Sequence, residues 1–114
     1  SALAEKVGDD AAPARGRWRV VEARARFARG DAAGAADVIA PRVAQARDAR
    51  DSVDIADALV LSDAARIEAQ RGDSATALAD LREADRRMAR LWQGTPPQLA
   101  DVRARIAALG AAMR

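Results

Sequence analysis

The octet Arg29-Gly30-Asp31-Ala32-Ala33-Gly34-Ala35-Ala36 returns 42 residues later as Arg71-Gly72-Asp73-Ser74-Ala75-Thr76-Ala77-Leu78. The same offset relates Ala23 to Ala65, Arg24 to Arg66, Ile39 to Leu81, Ala58 to Ala100 and Ala65 to Ala107. Self-similarity at such a period marks stacked supersecondary units, none of which can bury its apolar face alone. A second punctuation agrees with it: Gly8 followed by Pro13 answers to Gly94 followed by Pro96 and Pro97. The 114 residues therefore read as one all-α domain of antiparallel helical hairpins, about five helices in all. Residues 1–11 are expected to be the tail of a preceding helix with its connector, 12–50 the first repeat, 52–93 the second and 95–114 a final helix. On this reading the chain is a piece of a longer array.

Composition supports thin helices packed closely. Alanine accounts for 32 residues, against eight Leu, eight Val, four Ile, two Met, two Trp and Phe27. Ala is the best helix former, whereas β-branched and aromatic residues favour strands. The chain has no Cys and no His. Thiol and imidazole nucleophiles, an imidazole base and Cys/His metal sites are therefore excluded. No catalytic residue, metal ligand or cofactor is expected. Nineteen cations, all but Lys6 being Arg, face seventeen acids for a net +2. The two signs interleave, as in Arg82-Glu83-Ala84-Asp85-Arg86-Arg87. Such a pattern suits a solvated, salt-bridged surface and disfavours a nucleic-acid stripe. No apolar run reaches the roughly 20 residues of a membrane helix, so no membrane segment is expected; the expected compartment is the cytoplasm, with the periplasm as the alternative.

The helices can be placed. Asp10 and Pro13 are expected to open a helix over 12–29, with Trp18, Val21, Ala25 and Ala28 on its buried stripe. Gly30 ends it and Asp31 caps the next; Ser52, then Gly72 with Asp73, repeat the scheme. Leu61, Ala64, Ala65 and Glu68, with Ile67, line one helix of the second unit, and Leu78, Leu81, Met88, Leu91 and Trp92 line its partner. Thr95 with Pro96 and Pro97 opens a last helix carrying Leu99, Val102, Ile106 and Leu109. Pro41 falls inside the helix capped by Asp31, where it removes one backbone bond. A kink is expected there rather than a break, because Val38, Val43 and Ala46 continue one stripe through it. Glu22 with Arg26, Glu83 with Arg87 and Asp101 with Arg105 are expected as exposed pairs at four-residue spacing. Asp48, Asp51, Asp54 and Asp57 read as caps and a solvated connector.

These residues resemble the tetratricopeptide family, in its 42-residue variety seen in kinesin light chains and many bacterial proteins. The likeness rests on Gly30-Asp31 with Ala35 and Gly72-Asp73 with Ala77 in the tight turns. Ala23 and Ala65 match where the family packs its two helices closely, and Leu81 with Ala84 matches the large-then-small pair on the second helix. The connector over 48–54 lacks the family's Gly and Pro, and Glu22 stands where a large apolar residue is usual. The resemblance implies hairpins stacked as a right-handed superhelix, with the first helices lining a concave groove.

In that groove Arg24 and Arg66 would point the same way, with Arg17, Val20 and Phe27 beside one and Leu59, Ser62 and Gln70 beside the other. Guanidinium forks carboxylates bidentately, so the expected partner is an acidic or amphipathic peptide or protein. The competing reading makes both arginines ordinary ion pairs to Asp63 or Glu68. Trp92, at a helix end beside Gly94, is the candidate exposed hot spot. The leading functional expectation is a non-catalytic protein-interaction scaffold. A structural spacer or self-association module comes second, and nucleic-acid binding through Arg third.

Overall fold

A computed structural model describes residues 16–114, and these fold into a series of helices without strands. They are α1 (Arg17–Ala28), α2 (Ala32–Asp48), α3 (Ile55–Gln70), α4 (Ser74–Leu91) and α5 (Pro97–Ala112). Each helix packs on the next in sequence. The result is an elongated stack of 43 × 31 × 22 Å, the first helices α1, α3 and α5 alternating with α2 and α4. The expected start of the first helix at residue 12, the Asp10 cap, Pro13 and the tail over 1–11 lie outside the described residues.

The two turns of the repeat are nearly superposable in their physics. Gly30 and Gly72 adopt φ of +86° and +85°, a left-handed conformation that Gly enters without a Cβ penalty. Asp31 then accepts a hydrogen bond from Gly34 N at 2.8 Å, and Asp73 one from Thr76 N at 3.2 Å. Each cap satisfies one of the orphan N–H groups of the helix it opens. Pro41 lies inside a continuous α2, so the helix is not split there.

The core is a single cluster whose centre is α3. Leu61, Leu81, Met88, Leu99 and Val102 are its largest fully buried apolar side chains, with Ala23, Ala35, Ala58, Ala77 and Ala84 closing the helix contacts. Ala at those contacts lets backbones approach and leaves little room for error, since interiors are close-packed.

Three expectations are corrected. The buried side of α1 is not the stripe through Val21, Ala25 and Ala28: Val21 is 65% exposed and both alanines face solvent, while Ala23 and Arg19 are buried. Rotating the helix this way lets Ala23 reach α2 and lets Arg19 reach the Val38 carbonyl at 3.1 Å. Ser52 is not the cap of α3. Asp54 is, accepting from Ala56 N at 2.9 Å, and Ser52 Oγ instead accepts from Asp54 N and donates to Asp57. Asp57 is not part of a solvated connector: it is buried and ion-paired with Arg42 at 2.8 Å.

Arginine also knits the stack internally. The pairs Glu22–Arg26, Glu83–Arg87 and Asp101–Arg105 all form, at 2.8, 2.7 and 3.5 Å, but Arg87 is 1% exposed and not on the surface. Its other nitrogen donates to the Ala46 carbonyl at 2.7 Å, one of the last carbonyls of α2, which have no partner within the helix. Arg47 forks Asp80 of α4 at 2.7 and 3.1 Å and touches Glu68 of α3 at 2.9 Å.

Candidate functional site

The groove residues expected from the sequence sit on α1 and α3, but they divide between neighbouring depressions. One of about 730 Å³ opens between the N-terminal halves of α1 and α3, above the C-terminal half of α2. Arg17, Val20, Arg24 and Leu59 line it, together with Val21, Gln45 and Asp63. A second, of about 460 Å³, lies between the C-terminal halves of α3 and α5 and contains Phe27, Arg66 and Gln70. A smaller hollow of about 380 Å³ between them holds Leu59, Ser62, Arg24 and Arg66.

What divides the groove is a row of ion pairs. Arg24 of α1 reaches Asp63 of α3 through two nitrogens, at 2.7 and 3.1 Å. Arg66 of α3 reaches Asp101 of α5 at 3.1 Å. The two arginines of the repeat thus play the same part, each tying a first helix to the next first helix. The sequence reading of Arg24 paired with Asp63 is met; Arg66 chooses Asp101, a residue 35 positions away, over Glu68. Arg24 is still 59% exposed. Exposed pairs of this kind contribute roughly 0–1 kcal/mol, so neither arginine is bound tightly enough to be withheld from a ligand.

Around the 730 Å³ depression the apolar ground is uncovered. Among the described residues Val21 and Val53 are the two most exposed large apolar side chains, at 65% and 82%. Val21 lines it, and Val53 sits between Ser52 and Asp54, which also line it. Arg17 stands exposed at its edge with no ion-pair partner among the described residues. Trp92, by contrast, is half-buried and packed against the core. Trp18 is half-buried too, with the Arg19 guanidinium 4.6 Å from its ring centroid.

Sequence reasoning did not find Arg105. Its guanidinium lies half-buried between α3 and α5, donating to Ser62 Oγ at 2.6 Å and to the Ser62 carbonyl at 2.9 Å. Burial, and then the charge of Arg66, hold its pKa below the ordinary guanidinium value. The signal available was the 42-residue register, which sets Arg105 at the position equivalent to Asp63.

Among the described residues no helix is long and apolar enough to cross a membrane. No protein-family model, curated protein or solved structure matches the chain.

Proposed function

We propose that this chain is a non-catalytic interaction module of tetratricopeptide-like hairpins, binding an acidic or amphipathic segment of a partner protein between α1 and α3. The observation that carries the reading is the uncovered Val21 beside the exposed cations Arg17 and Arg24 on one depression, with the exposed Val53 next to two of its lining residues, Ser52 and Asp54. Apolar anchors give such contacts their affinity and rim charges give orientation and on-rate. The absence of Cys and His supports a binding role over a catalytic one.

Selection from a displayed random-peptide library tests it. Enriched peptides should combine aliphatic and acidic residues. Val21→Asp and Arg17→Glu, both at exposed positions, should each weaken them by about tenfold or more, and Arg82→Glu on α4 should not. Equal binding by all four proteins would place the binding surface elsewhere. Self-association is the second reading, favoured by one observation: Ala107 on α5 is exposed, whereas its repeat equivalents Ala23 and Ala65 are 0% and 1% exposed. A concentration-dependent mass in sedimentation equilibrium, abolished by Ala107→Glu, would support it.

A further inference from the structure

The 460 Å³ depression between α3 and α5 differs in kind from the peptide groove, and its origin can be traced to side-chain size. Ala65 and Ala69 on α3 face Ala108 and Ala112 on α5 across it, with Leu81 of α4 also in its lining. Four alanines where larger residues would interlock leave the two helices apart. The wall is otherwise apolar but for Gln70, and the charge in it comes from Arg66 and Arg105.

Those two cations are not both neutralised. Arg66 and Arg105 share a single carboxylate, Asp101, at 3.1 and 3.5 Å. The next acid along the row, Asp63, is already held by Arg24 at 2.7 Å. Three guanidiniums therefore meet two carboxylates, and one positive charge is left over beside apolar surface. Arg105 is only 18% exposed, so water screens it poorly, and it crowds against Arg66. An anion placed there would relieve like-charge repulsion and would be stronger than in bulk water, where the same contact is largely screened. Guanidinium prefers planar oxyanions, which it forks.

We infer that this depression is a second ligand site, for a small amphiphilic carboxylate whose head sits between Arg66 and Arg105 and whose unbranched apolar tail lies along the alanines. Its volume falls in the roughly 300–1,000 Å³ range of small-molecule pockets, and a tail of about ten carbons fits that size class. The site is independent of the peptide groove, sharing none of its lining residues.

Decanoate is the probe, with decanol and decylammonium as its neutral and cationic counterparts, followed by amide chemical shifts in NMR titrations below micelle concentration. Decanoate should shift α3 and α5 resonances around Ala69 and Ala108, and should bind about tenfold or more tightly than decanol. Decylammonium should not bind there. Ala108→Phe, at an exposed position, fills the tail site and should abolish binding while leaving the fold intact by circular dichroism. Arg66→Gln should bring decanoate affinity down toward that of decanol. The inference is overturned if decanoate and decanol bind equally, if the shifts map to α1 and α2, or if Ala108→Phe binds as the wild type does.

Discussion

The hairpin α1–α2 and the hairpin α3–α4 carry the same turn, the same caps and the same small residues, yet they are buried very differently. Gly30 and Gly72, Ala23 and Ala65, Ala35 and Ala77, Ile39 and Leu81 are equivalent in conformation or burial. Other pairs diverge. Ile67 is 4% exposed where its equivalent Ala25 faces solvent, and the place of the fully buried, apolar Leu61 is taken by Arg19, also buried but charged. The difference lies in the neighbours: among the described residues α3 is flanked by α2 and α4, whereas α1 has α2 and the edge of α3. In a one-dimensional stack the local pattern sets the hairpin, and the number of neighbouring units sets how many of its faces must be apolar.

The comparison can be broken most forcefully at its centre. Leu61→Ala should cost about 3–5 kcal/mol in denaturant unfolding, and Ile67→Ala about 2–4; Ala25→Ile, the converse change in the first hairpin, should stay within about 0.5. A large loss from Ala25→Ile would mean that α1 is as enclosed as α3. A second asymmetry is the Arg47, Glu68 and Asp80 cluster. Glu68 Oε1 is buried and meets no donor, and burial, then the Asp80 carboxylate, push Glu68 up to about 8. The folded chain therefore holds a proton that the unfolded chain, titrating near 4.5, has released. Stability should fall as pH rises from about 5 to 8, and Glu68→Gln should flatten that slope. Unfolding midpoints for both proteins across this range provide the check.

Smaller effects sharpen the likeness between the units. Gly30→Ala and Gly72→Ala should each cost about 1–2 kcal/mol, and the two should agree closely, because nothing lies within 4 Å of a Cβ at either position and only the backbone conformation is strained. Arg24→Ala and Arg66→Ala should each cost less than about 1 kcal/mol. A markedly larger loss for either in salt-free buffer would show that the row of pairs holds the stack together.

The hairpins, their glycines, the Asp31 and Asp73 caps and the Pro97 start of α5 were legible because each depends on residues within one turn of the chain. The stripe of α1 was not. Val21, Ala25 and Ala28 fit helical spacing as well as Ala23 does, and in so alanine-rich a segment only the partner helix decides which side is covered. The cap at Ser52 failed for a related reason, since Asp54 offers a carboxylate two residues later and Ser52 is drawn to Asp57. The arginines were the least legible. Arg42, Arg47, Arg87 and Arg105 look like the exposed ones in sequence, and each takes a partner between 15 and 43 residues away as well as, in some cases, a near one. The candidate site was legible in its members but not in its division, because the acid for Arg24 was foreseen while that for Arg66, Asp101, lies a helix further on.

The Arg87 side chain closes the end of α2 from 41 residues downstream. During synthesis the first hairpin leaves the ribosome with its Ala46 carbonyl still open to water, and none of its described residues supplies that bond. The bond arrives only after the turn at Gly72 and most of α4 have emerged. The second hairpin therefore completes the hydrogen bonding of the first, and a nascent chain stalled before residue 87 should be more open to proteases around Ala46 than one released after it.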